Sequence, residues 1–298
     1  MLETILMQIF NGLSLSSILL MIALGLSITF GIMGVINFAH GEFLMLGAYT
    51  AFIFQKIFYT WMGGFYFFFV IPFSFIFTAI FGMVLERTII RFLYGKTYES
   101  ILVTWGLSLI LQQASRNIFG ASNVDVVAPT WLSKGIVITE SVQLPYNRLF
   151  IIAISIVSVI AMYYFINRTA NGRRMRAVMQ NRSMGACMGI NTKKVDMTTF
   201  AIGCGLAGVA GTIVSLLGSI GPSTGQNYIV DAFMVVVLGG VGNLAGTIAG
   251  AIMMGLASPI FEFVTTSSMG KVIVFLLVIA YLQFKPSGMF TFKARSLD

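Results

Sequence analysis

Cysteine, histidine and charge are all scarce in this chain of 298 residues: two cysteines, one histidine, and only 9% Asp, Glu, Lys and Arg together. Cys187 and Cys204 fall in a polar loop and in an apolar run. They are poor disulfide candidates and read as small apolar residues. A single histidine with two distant cysteines is not a metal ligand set. The low charge excludes an ordinary soluble domain, in which about 25% of residues are charged. The N-terminus lacks a positive segment followed by a small-residue cleavage site, so Met1 onward is expected to be mature sequence.

Catalytic and nucleotide-binding patterns are missing too. Gly95-Lys-Thr97 resembles the end of a phosphate-binding loop, but Ile90 stands where the earlier glycine is required. No ATP hydrolysis is therefore expected from this chain, nor any bound cofactor. Gly240-Val-Gly-Asn-Leu-Ala245 has dinucleotide-fingerprint spacing, with Glu262 about 20 residues on. It lies between apolar runs without βαβ alternation, so that reading is rejected. No Ser/His/Asp or paired-carboxylate arrangement appears in a soluble cleft.

What is present is apolar length. Hydrophobic residues make up 57% and the mean hydropathy is +0.92. Several runs exceed the ~18–20 residues that cross a hydrocarbon core. The expected fold is an all-α polytopic membrane bundle of about 8–9 spans, in one domain over residues 1–298. The runs are Ile5–Phe30, Phe38–Phe54, Gly63–Val84, Ile101–Phe119, Arg148–Ile166, Met197–Ile220, Ile229–Gly239, Ala245–Phe263 and Lys271–Gln283. Ile229–Gly239 is too short to cross alone and is closed by Gly-Gly-Val-Gly-Asn, which predicts a half-span or re-entrant segment.

The net charge of +8 is carried by loops and does not argue for nucleic acid. Residues 167–195 hold seven of the 18 Lys and Arg and no acid. With 85–100, 167–195 and the C-terminal tail inside, thirteen basic residues lie inside and five outside. That places the C-terminus in the cytoplasm and the N-terminus outside. Asn167-Arg-Thr169 and Asn181-Arg-Ser183 are then glycosylation sequons in form only. Gly120–Pro145, with Pro129 and Pro145, is expected as a modest external loop.

Polar residues inside spans mark a bundle interior or a solute path. One cluster is Asn37, His40 and Glu42 in Gly34–Glu42; a second is Asn243 in Gly239–Gly246, preceded by Asp231. Gly34-x-x-Asn37-x-Ala39 matches Gly240-x-x-Asn243-x-Ala245, either as a trace of related structural repeats or by chance. His40 and Glu42 either cap a helix start at the interface or line the path. Gln112, Gln113 and Arg116 lie on the outer half of the fourth run. Gln113 and Arg116 share a face, and either line an entrance or satisfy each other. The small residues of Gly203–Gly211 suit close helix packing.

Within the basic loop, Gly172–Gln180 puts Met175, Val178 and Met179 on one helical face, away from Arg173, Arg174 and Arg176. Asn181 is a plausible N-cap for the short apolar run Met184–Ile190, which Gly189 and Asn191 would stop. Met184, Met188 and Ile190 lack the bulky aromatics of a lipid anchor, and methionine surface suits a protein groove. Protein docking is favoured over membrane lipid.

Three motifs carry a resemblance: Gly-Arg-Arg-Met-Arg-Ala-Val-x-Gln-Asn-Arg (172–182) followed by Gly-Ile-Asn (189–191), Gly-Val-Ile-Asn-Phe-Ala-His-Gly-Glu (34–42), and Val-Val-Leu-Gly-Gly-Val-Gly-Asn-Leu-Ala-Gly-Thr (236–247). Together, in their order along the chain, they resemble ABC importer permeases of the branched-chain amino-acid type, from about Asn11 to Met289. Thr104–Gln113, Gly221-Pro, Gly225-Gln and Tyr228-Ile-Val-Asp231 look like the urea-transporting branch. The resemblance implies a bacterial inner-membrane subunit with a second related permease, two cytoplasmic ATPases that use ATP, and a periplasmic urea-binding protein. It also implies a solute path near Asn37, His40, Glu42, Gln112, Gln113, Asp231 and Asn243. ATPase contacts would fall at Arg173, Arg174, Arg176, Arg182, Met184, Met188 and Ile190. The other expectations weighed are a sister importer for branched-chain amino acids or short amides, a passive urea channel, and a membrane-embedded enzyme.

Overall fold

The computed structural model describes residues 2–139 and 142–290. Lys293 and Arg295, counted above among the cytoplasmic charges, lie outside the described residues. Long helices dominate, because in hydrocarbon an α-helix satisfies its own backbone groups. In chain order they are α1 (Leu2–Met33), α2 (His40–Met62), α3 (Tyr66–Thr88), α4 (Thr97–Phe119), α5 (Tyr146–Arg168), α6 (Ala170–Gln180), α7 (Arg182–Cys187), α8 (Thr192–Val214), α9 (Thr224–Gly239), α10 (Leu244–Val264) and α11 (Ser267–Phe284).

Among the described residues six stretches are long and apolar enough to cross a membrane. They lie in α1, in α5, α8, α10 and α11, and in one stretch covering both α2 and α3. Helix α4 has span length, but Thr104, Ser108, Gln112, Gln113, Ser115 and Arg116 dilute its hydropathy. Helix α9 has 16 residues, short of a full crossing. The chain is an all-α polytopic membrane bundle, as its composition requires.

Helix α8 is the axis of the bundle, packed by α1, α2 and α3. Its small residues permit this: Gly203 lies against Gly25 of α1, Gly208 against Gly47 of α2, and Gly205 against Phe75 of α3. A Cβ on Gly25 would come within 2.5 Å of the Gly203 carbonyl oxygen. Without a hydrophobic drive between helices in lipid, such close backbone approach supplies the packing. Helices α5 and α11 lie outside and expose most of their apolar surface.

Several boundaries differ from the sequence reading. Helix α8 starts at Thr192, because the Asn191 side chain accepts the Lys194 N–H at 3.1 Å. Asn191 therefore begins this helix instead of stopping the one before. Helix α8 ends at Val214, and beyond it Ile220 exchanges backbone hydrogen bonds of 2.8 and 2.9 Å with Val124. The segment expected as plain loop before α5 carries a two-stranded antiparallel hairpin, β1 (Gly135–Thr139) and β2 (Val142–Pro145). Helix α9 starts at Thr224, ahead of the expected Ile229.

Candidate functional site

Helix α1 ends because Gly34 takes φ +63°, a conformation costly for any side chain with a Cβ. The chain then runs without helix to Ala39, held where the Phe38 N–H meets the Thr104 hydroxyl at 3.1 Å. Phe38 also stacks on Phe233 of α9, centroids 5.8 Å apart. Helix α2 starts at His40, and its N-cap residue Ala39 makes no side-chain cap. His40 and Glu42 are fully buried in the bundle, so neither is an interfacial cap.

Around this break the structure gathers polar groups that the chain leaves partly unsatisfied. One Glu42 oxygen accepts from Ser108 at 2.7 Å and from Gln112 at 2.9 Å, while the other has no partner. Both ends of the buried Asn37 amide lack hydrogen bonds, and both His40 ring nitrogens lack one of normal geometry. Farther along the same helices, the Tyr49 and Ser115 hydroxyls are unpartnered as well. Leaving such a group buried and unpaired costs about 1–3 kcal/mol. Groups kept at that cost inside a membrane bundle suit a polar solute or water that supplies the missing partner.

The seven expected path residues are not one site. Glu42 and Gln112 meet between α2 and α4, while Asn37 and His40 lie at the same start of α2, with His40 turned toward the Ile22 backbone of α1. Gln113 is exposed on the other side of α4, since successive helical residues point about 100° apart. It bonds to Asn117 at 3.2 Å, not to Arg116. Asp231 pairs with Lys271 of α11 at 3.7 Å. Asn243 caps α10, its side-chain oxygen accepting the Gly246 N–H at 3.2 Å.

The basic loop folds as two short helices. Thr169 caps α6 by accepting the Gly172 N–H at 3.0 Å, and Asn181 caps α7 by accepting that of Met184 at 2.9 Å. Met175 and Val178 are buried, while Arg173 and Arg174 are exposed. Arg176 donates to Asn167 at 2.6 Å. Met184 and Met188 are 60% and 76% exposed.

Two of the expected contact residues also make contacts within the chain. Ile190 packs against the core instead of standing out with the methionines. Arg182 is a buttress: it pairs with the buried Asp196 of α8 and lies over the Tyr94 ring, 5.4 Å from its centroid. Tyr94 in turn donates to Glu86 at 2.6 Å. Burial and then that carboxylate hold the Tyr94 phenol well above its ordinary pKa. Asp196 stands just past the acid-free stretch, so counting charge within the loop could not find this pair.

The seat of Met179 was also hidden from the sequence. Its methyl lies on Gly242 and Gly31, at the turn between α9 and α10. Gly240 and Gly242 have φ of +99° and +76°, and the Gly242 N–H donates to Ser27 of α1 at 3.2 Å. The other end of α9 lies on the first turn of α2, where a Cβ on Gly41 would come within 2.5 Å of the Gly225 carbonyl oxygen. One helix of 16 residues, about 24 Å long, thus joins the loop helix to the buried polar cluster. Only the glycines hinted at these contacts.

Residues 8–282 match the family described as branched-chain amino acid transport system / permease component. The chain is 32% identical to the high-affinity branched-chain amino acid transport system permease protein BraD of Pseudomonas aeruginosa, over 95% of this chain and 94% of that protein. It is 29% identical to the corresponding permease protein LivH of Escherichia coli K12, with the same coverage. A shorter match, 34% identity over 40% of each chain, is to the ribose import permease protein RbsC of Escherichia coli K12. No solved structure matches the chain.

Proposed function

This chain belongs to the family of branched-chain amino acid transport system permease components, and we propose that it is the membrane subunit of an ATP-driven importer of branched-chain amino acids. The observation that carries the reading is the rod-like link through α9. Met179 of the amphipathic loop helix sits at one end, and the cluster around Asn37, His40, Glu42 and Gln112 adjoins the other. Cytoplasmic ATPases bind the face bearing Met184, Met188, Arg173 and Arg174. Their ATP cycle moves α6 and α7, Met179 shifts the α9–α10 turn, and α9 passes the displacement to the start of α2. The solute is handed over by a periplasmic binding protein, and a second related permease completes the path. The whole chain forms one permease domain in the bacterial inner membrane, with its C-terminus cytoplasmic. ATP is bound and hydrolysed by the partners, and this subunit carries no cofactor.

The BraD and LivH proteins matched over nearly the whole chain are branched-chain amino acid permeases, which favours that solute over the urea expected above. Urea stays as a second reading for one reason. The cluster offers amide, hydroxyl, imidazole and carboxylate groups but no Lys or Arg to pair with a solute carboxylate, and urea, being neutral, needs none. The test is uptake by cells expressing the whole transporter, with labelled leucine against excess urea or acetamide. The expected result is ATP-dependent leucine uptake that urea leaves unchanged. Urea uptake without leucine uptake would select the second reading, and uptake independent of ATP would overturn both.

A further inference from the structure

Where α3 ends and α8 begins, a cavity of about 510 Å3 opens beside α7. Five cations line it: Arg87, Arg91, Arg182, Lys193 and Lys194. Arg182 is paired with Asp196; among the described residues the other four are in no ion pair, the remaining pairs being Lys96–Glu99 and Lys271–Asp231. Glu86 is the one acid of the lining; its carboxylate accepts from Tyr94 and its charge also acts on Arg91 and Arg87, so one acid faces five cations. Like charges converging around one cavity repel, and a counter-anion relieves that repulsion. The N-terminus of the 23-residue α8, the positive end of its dipole, adds to the same field.

Phe92, Tyr94 and Met197 share the lining with the cations. Phe92 is 67% exposed with Arg91 over its ring, and Met197 closes the far side. From Arg87 back along α3, Val84, Ile80 and Ile76 recur at helical spacing and are all exposed. The cation-lined cavity thus lies at the end of the membrane-spanning helix that carries this apolar stripe. That combination fits a molecule that is anionic at one end and hydrocarbon at the other.

We propose that this cavity binds the phosphate of an anionic phospholipid headgroup, with an acyl chain along Ile76, Ile80 and Val84. A lipid there touches Arg182, the buttress of α7, and so steadies the element that carries the exposed methionines. The inference rests on the permease reading only for which membrane face is involved, and its test needs no transport.

The purified chain in detergent is mixed with phosphatidylglycerol or phosphatidylcholine, and retained lipid is counted by native mass spectrometry. Wild type should retain phosphatidylglycerol selectively. The pairs Arg87→Gln with Arg91→Gln, and Lys193→Gln with Lys194→Gln, should each lose about tenfold or more of that retention. Arg116→Gln, on an exposed cation of α4, should lose none. Raising salt on wild type should release phosphatidylglycerol but not phosphatidylcholine, a check that needs no variant. Equal retention in all variants, or equal loss in Arg116→Gln, would overturn the proposal. So would pairs that keep the lipid but no longer copurify with the ATPase subunits, because the cations would then serve a protein partner. Millimolar inorganic phosphate displacing phosphatidylglycerol supports the phosphate site. Phosphate that protects wild type, but not the pairs, from heating while no lipid is retained identifies free phosphate as the ligand and overturns the lipid assignment.

Discussion

Two breaks in this chain have nearly the same local sequence and opposite uses. Gly34 and Gly240 both end a helix with positive φ, and an asparagine follows three residues later in each. Asn243 turns its side chain back onto its own helix and caps α10. Asn37 caps nothing; its amide is buried and unpartnered just before α2. The Gly240 break is a joint, held by Ser27 and gripped by Met179. The Gly34 break is an opening in the hydrogen bonding of the bundle. A glycine and an asparagine at fixed spacing therefore specify a chain reversal and not a function.

The largest effect is expected at the joint. Gly242→Val places a β-branched residue at φ +76°, costing about 1–3 kcal/mol, and drives it into Met179. Uptake should vanish and the melting temperature should fall. Met179→Ala should lower the melting temperature less than Gly242→Val does while uncoupling ATP hydrolysis from uptake. If Met179→Ala transports normally, the joint is not part of the coupling.

Next comes the asparagine pair itself. Asn243→Ala should destabilise by about 1 kcal/mol through loss of a cap, with solute affinity unchanged. Asn37→Ala should keep or slightly raise stability, because it removes an unsatisfied buried group. It should lower uptake about tenfold, the worth of one hydrogen bond of about 1–1.5 kcal/mol to the solute. Thermal melts and uptake on both variants decide this. The contrast collapses if the two lose stability alike.

A smaller but clear effect is expected on the basic helix. Arg174→Glu with Arg176→Glu should leave the protein in the membrane and reduce ATP-driven uptake severalfold, since Arg174 is exposed and Arg176 holds only Asn167. The least effect belongs to Gln113→Leu, which faces away from Glu42 and should change uptake by less than about twofold. Gln112→Leu, which removes a partner of Glu42, should reduce it far more. Equal uptake in the two glutamine variants would dissolve the assignment of the α4 faces.

Much of this was legible in the sequence. Apolar length gave the helical membrane class, glycine clusters marked both breaks, and Asn181 with the 172–180 pattern foretold the two loop helices. The methionines expected to be exposed are exposed. What escaped was pairing across the fold. Nothing near Arg182 says that Asp196 will fold back to meet it, and nothing near Met179 says that its seat is a glycine turn some sixty residues on. Gln112 and Gln113 are adjacent and chemically identical, yet a rotation of about 100° puts one in the cluster and the other outside it.

The sequence by itself determined what short-range physics determines: which segments are apolar enough to leave water, where the backbone must turn, and which residues cap. Each follows from a residue and its near neighbours. The tertiary structure alone decided which polar groups are left unpaired in the interior and which helix carries motion between the loop and the cluster. Those depend on how helices distant in sequence cross, and the crossing is set by the close approach of glycine surfaces around α8.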